Sequence, residues 1–201
     1  MAHDDSIPTP IADEFMQTNN DDFYTSVLNE DTIGKVVRSQ IHIEAALNAF
    51  LEMRMYDFPA LEKHVIDFEL RIMMALALGL NPSLKGPLKN LGNLRNRFAH
   101  KLDATLDKGD MNNLFKSFSA EDKKLISDHY TKIKKLNPLN SEGERRPDSH
   151  SAMKPEDRFA LYVATLRAAL LAALKLAERL EFQFTKWAEA DGKEWRGKKA
   201  R

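Results

Sequence analysis

Residues 91–103, "LGNLRNRFAHKLD", place Arg95, Asn96 and His100 together near the end of a helix-forming stretch. An imidazole that titrates near neutrality can give or take a proton. A guanidinium holds a phosphate or carboxylate through paired hydrogen bonds. Together they suit RNA cleavage without a metal, because the RNA 2′-hydroxyl supplies the nucleophile that DNA lacks. On a helix Asn96 and His100 stack one turn apart, and Arg95 lies about 140° from His100 around the axis. The long arginine can bend back, so all three can serve one surface. A purely structural role fits the same spacing: Asn96 as a cap, and Arg95 as a bridge to a carboxylate on a neighbouring helix.

The surrounding elements must position these groups. Leu88, Leu91, Leu94 and Phe98 recur at three and four residues, which predicts one buried helical stripe beginning near Gly86-Pro87. Upstream, Ile33, Val36, Val37, Ile41, Ala45, Leu51 and Met55 fit a helix capped by Asp31 or Thr32. Residues 57–80 read as a short helix opened by Pro59 and then a longer one. The core face of the longer one is Phe68, Ile72, Ala75, Leu76 and Leu80, and Gly79 with Asn81-Pro82 stops it. A short helix is expected near "DMNNLFKSF". Another starts at the cap-like Ser119 with Asp122, and buries Leu125, Ile126, Ile133 and Leu136. A loop follows, with Pro138, Gly143 and Pro147. Last comes a long helix from Pro155 to about Ala190, roughly 50 Å at 1.5 Å per residue and buried along most of its length. No alternating strand pattern or internal repeat is present, so the expected fold is all-α, a bundle of four or more helices. The expected organisation is a flexible arm over 1–26, one helical domain over 27–190, and a basic tail over 191–201.

Composition narrows the function. The chain has 201 residues, with 30 basic and 30 acidic side chains and no cysteine. Balanced charge provides no global steering to nucleic acid or membrane. Without cysteine there are no disulfides, thiol catalysis or thiolate metal sites, which suits a reducing cytoplasm. The acidic start "MAHDDSIPTPIADEF" has no apolar core of a signal peptide. Arg167 and Lys175 interrupt the most apolar segment, 159–180, whereas a membrane span needs about 20 apolar residues. His42 and Glu44 point to different helix faces, and His64, His129 and His150 have no partner at ligand spacing, so neither a metal nor another cofactor is expected. No Gly-rich phosphate loop or nucleophile elbow is found. Lys35 and Arg38 lie three apart on a helix and could extend an anion or RNA site toward Arg95, or form a solvated face. Trp195 in the basic tail could stack on a base, beside Lys193, Arg196 and Lys198. The small residues of 160–180 read as core packing or as a dimer seam.

"LRNRFAH" resembles the signature of the HEPN superfamily: an arginine, a polar residue, then a histidine after a short gap, matched by Arg95, Asn96 and His100. That resemblance implies a small helical bundle and a homodimer whose motifs meet at the interface. It also implies metal-independent endoribonuclease activity of a toxin or defence type. A second resemblance covers about residues 27–185. "VLNEDTIGKVVRSQIHIEAAL" is similar to the opening of the mannitol operon repressor family, with Gly34, Lys35, Val37, Arg38 and Ser39 in place. The later order of an apolar helix, "LRNRFAHKLD", a polar region and a long helix is similar too. This second resemblance implies a regulator of transcription. No helix-turn-helix with a basic recognition helix is visible, so sequence-specific DNA binding is not expected. The expectation is a cytoplasmic, all-α, homodimeric regulator acting through a protein partner. The alternative is a HEPN-type ribonuclease using Arg95, Asn96 and His100.

Overall fold

The computed structural model describes residues 21–190, apart from positions 62, 63, 65, 102 and 141. Helix α1 covers residues 21–29. It is followed by α2 (Thr32–Arg54), α3 (Phe68–Ala77), α4 (Lys85–His100), α5 (Lys108–Ser117), α6 (Ala120–Leu136) and α7 (Pro155–Ala190). Short 3₁₀ turns lie at Pro59–Leu61, Pro82–Leu84 and His150–Ala152. The fold is an all-α bundle with a long C-terminal helix. Among the described residues the only β pairing is an isolated antiparallel bridge, Leu139 to Arg145.

Local chemistry starts most of the helices. Asp31 accepts a hydrogen bond from the Gly34 amide at 2.6 Å, and Asp67 from the Leu70 amide at 2.8 Å. Ser119 accepts from the Asp122 amide at 3.0 Å. Asp107 and Asp110 make a full capping box at the start of α5. Each satisfies an amide that the first helical turn leaves unpaired. Helix α3 ends where Gly79 takes φ +101°, a left-handed conformation that favours glycine.

The bundle is organised on α2 and α7, its most extensive helix pair. Helix α4 lies against α2, α3 and α5, and both α5 and α6 cover α7. One apolar cluster runs through all these elements, including Phe23, Ile43, Leu47, Leu88, Leu91, Phe159 and Leu170.

Four expectations change in the structure. First, residues 21–26 are helical instead of forming part of an arm, because Phe23, Ser26 and Val27 share a face that is buried; residues 1–20 and the tail 191–201 lie outside the described residues. Second, α2 buries Val36, Ser39, Gln40, Ile43, Ala46, Leu47, Phe50 and Leu51, while Ile41 is 60% exposed. Ile41 and Ile43 point to nearly opposite sides, and the position of α7 decides between them. Third, α6 buries only Ile126 and Tyr130, leaving Leu125, Ile133 and Leu136 exposed, because α7 is the main helix packed on it. Fourth, among the described residues the segment after α2 forms a 3₁₀ turn, Pro59–Leu61, where a short helix is expected.

Helix α7 contains a window long and apolar enough to cross a membrane, and half of that window is buried within the bundle. Its buried positions end at Ala177, and beyond it Leu180, Phe182, Phe184 and Trp187 are exposed.

A buried polar cluster ties the loop before α7 to three helices. His150 Nδ1 lies 3.0 Å from the Tyr162 hydroxyl, which accepts a hydrogen bond from Arg158 Nε at 3.2 Å. Arg158 also donates to Asn112 at 2.9 Å, and the Phe115 and Tyr130 rings flank the imidazole. Burial, and then the Arg158 charge, hold the His150 pKa below its ordinary value. His42, beside Ser26 and Phe23, is also lowered, by burial first and then by Arg167.

In both cases the folded state favours the neutral ring. That stability is complete above the unfolded-state value near 6.5 and is lost as pH falls through the depressed folded value. The thermal midpoint therefore falls between pH 7 and pH 5, with a slope of at most about 1.4 kcal/mol per pH unit for each histidine. His150→Gln should flatten this dependence when unfolding is followed by circular dichroism. An unchanged slope in that variant would remove His150 from the account.

Candidate functional site

Helix α4 positions the polar motif. Its buried face is Leu88, Leu91, Leu94 and Phe98, as the spacing predicts. Arg95 and Arg97 are about 200° apart around the axis, so they leave this face on different flanks. Each meets different chemistry.

On one flank, Arg97 makes paired hydrogen bonds to Asp110, with Nη1 to Oδ1 at 2.7 Å and Nη2 to Oδ2 at 2.5 Å. It also donates to the Thr105 carbonyl at 3.2 Å. The bond to Asp110 pushes the Arg97 pKa above its ordinary value, against the opposing effect of burial. Asp110 is the same residue that closes the α5 capping box by accepting from the Asp107 amide at 3.0 Å. The inter-helix bridge imagined for Arg95 is therefore made by Arg97, a residue that motif reading passes over. The available signal was the "DKGD" box, which predicts a carboxylate at the next helix start.

On the other flank, Arg95 Nη1 donates to Asn96 Oδ1 at 3.0 Å, and among the described residues it pairs with no carboxylate. Arg95 and Asn96 line a cleft of about 320 Å³ between α2, α3 and α4. Gln40 and Glu44 face them from α2, with Phe68 and Ile72 from α3. Glu44 is held by Arg71 at 3.1 Å, and Arg71 also donates to Asn48 at 2.8 Å. Lys89 and Glu69, also part of the lining, pair at 2.6 Å. Gly92 lets α4 approach α3, since a Cβ there would meet the Phe68 ring at 3.0 Å.

The structure thus brings Arg95 and Asn96 together. His100 is exposed at the last turn of α4 and is not part of the cleft lining. Lys35 and Arg38 do not extend this site: Arg38 pairs with Glu30 at 3.2 Å, and neither lines the cleft. Among the described residues no group of three or more histidine and carboxylate side chains is placed to hold a metal ion. No family model, curated protein or solved structure matches the chain.

Proposed function

We propose that this protein is a cytoplasmic regulator, resembling the mannitol operon repressor family, that works through protein contacts. The observation that carries this reading is the outer face of α7. Leu176, Leu180, Phe184 and Trp187 fall within an arc of about 80° and are 59%, 38%, 49% and 59% exposed. Rows of large apolar side chains at a protein surface mark interaction sites. This row lies on a different helix from Arg95 and His100. Contact through α7 needs no DNA-reading element and suits a chain of zero net charge.

A second reading has its own support. His100 is exposed, and the neighbouring Arg95 and Asn96 are hydrogen-bonded to each other. An exposed His100 is what a HEPN-type metal-independent endoribonuclease, with motifs facing across a homodimer, would need.

One set of variants separates the two. Leu180→Glu with Phe184→Glu alters exposed positions, where substitutions usually change stability by within about 0.5 kcal/mol. In the source cell this double variant should reproduce the transcript changes caused by loss of the gene, while His100→Ala behaves as the parent. For the second reading, the purified protein would cleave RNA in excess EDTA, and His100→Ala would lower the rate by about 100-fold or more. Cleavage of that kind, with His100→Ala also reproducing gene loss, would replace the regulator reading.

A further inference from the structure

The cleft between α2, α3 and α4 has the chemistry of a small-molecule site, and this stands apart from the regulator reading. Gln40 is 2% exposed and lines the cleft. Its Nε2 donates to Glu44 Oε2 at 3.4 Å, while its buried Oε1 has no hydrogen bond from the protein. A buried carbonyl oxygen left in this way is costly, and a group with N–H donors would satisfy it. Beside it stands the Glu44 carboxylate, fixed by Arg71.

The α4 wall carries the opposite polarity. Arg95 spends one N–H on the neutral Asn96 amide and keeps its charge without a carboxylate partner among the described residues. The guanidinium fork, with four further N–H donors, suits a carboxylate. Phe68 and Ile72 supply an apolar wall. Apart from Asp67, which caps α3, and the mutually paired Lys89 and Glu69, the lining offers an acceptor-rich pole on α2, a donor-rich pole on α4, and an apolar surface.

We propose that this cleft binds a free amino acid with an apolar side chain. Its carboxylate sits on Arg95 and Asn96, its ammonium on Gln40 Oε1 and Glu44, and its side chain on Phe68 and Ile72. The opposed charges of such a ligand match the two poles, and its apolar part matches the remaining wall. Bare anions would meet Glu44, and bare amines would meet Arg95, so each should bind less well.

The test uses the full chain in calorimetric titration and thermal-shift assays. The probes are L-leucine and L-phenylalanine, with isoamylamine and phenethylamine lacking the carboxylate, and the N-acetyl amino acids lacking the ammonium. At least one amino acid should bind saturably, with its two truncated analogues at least tenfold weaker. Arg95→Gln and Gln40→Leu should each weaken binding tenfold or more. Gln40→Leu should melt at or above the parent temperature, because it removes an unsatisfied buried group, so its lost binding would not reflect misfolding. Absence of binding by both amino acids, equal binding of the analogues, or undiminished binding by either variant would overturn the proposal.

Discussion

Asp110→Ala should lower the unfolding free energy by about 3 kcal/mol, although Asp110 lies outside the motif that draws attention in the sequence. The carboxylate has two tasks. It receives both arms of Arg97 and it accepts from the Asp107 amide that opens α5. Removing it leaves the Arg97 guanidinium without its counter-ion and opens the capping box. The Asp110 side chain is only 11% exposed, so water replaces little of what is lost; Arg97, at 34%, is better hydrated, which keeps the figure at the low end of about 3–5 kcal/mol for breaking a buried pair. Opening the box removes only the bond from the Asp107 amide, because the Asp107 side chain still accepts from the backbone amide of residue 110 and keeps α5 capped. Arg95→Ala, by contrast, should stay within about 0.5 kcal/mol, because Arg95 pairs only with its neighbour's amide. Urea denaturation of the two variants beside the parent decides this. Equal stability of Asp110→Ala and Arg95→Ala would show that the α4–α5 bridge contributes nothing.

Gly86→Ala should destabilise the chain by about 2 kcal/mol, against the usual benefit of alanine in a helix. A Cβ at Gly86 would lie 2.7 Å from the Ser117 carbonyl oxygen and 3.3 Å from its Cβ. The oxygen belongs to backbone at the end of α5, so relief requires α4 and α5 to move apart. Gly92 is the instructive control. Its nearest neighbour is the Phe68 ring edge at 3.0 Å, which can rotate or slide by tenths of an ångström. Gly92→Ala should therefore cost less than Gly86→Ala in the same denaturation series. A parent-like Gly86→Ala would mean that the two helices are not in close backbone contact.

The two arginines of "LRNRFAH" show what a motif can and cannot convey. Residue types and spacing mark Arg95, Asn96 and His100 as able to hold an anion and move a proton. They do not reveal that Arg97 carries the structural ion pair, or that Arg95 opens onto a cleft whose far wall is contributed by Gln40 and Glu44. His150 is a similar case. It has no sequence neighbour at ligand spacing, yet it meets Tyr162, Tyr130 and Phe115 inside the bundle.

What the sequence determined by itself is local. The caps at Asp31 and Ser119, the stop at Gly79, the buried stripe of α4 and the start of α7 depend on residues within about one helical turn of their neighbours in the pattern. Such interactions are written directly in the order of the chain. Tertiary structure decided which side of α2 is buried, how little of α6 is covered, and where α7 leaves the core. It also decided which arginine is paired and which lines the cleft. Each of these depends on a surface supplied by another helix, often many residues away. Hydrophobic periodicity registers that a helix has an apolar side, but a helix such as α2, with isoleucines on opposing sides, acquires its inner face only when a partner covers it.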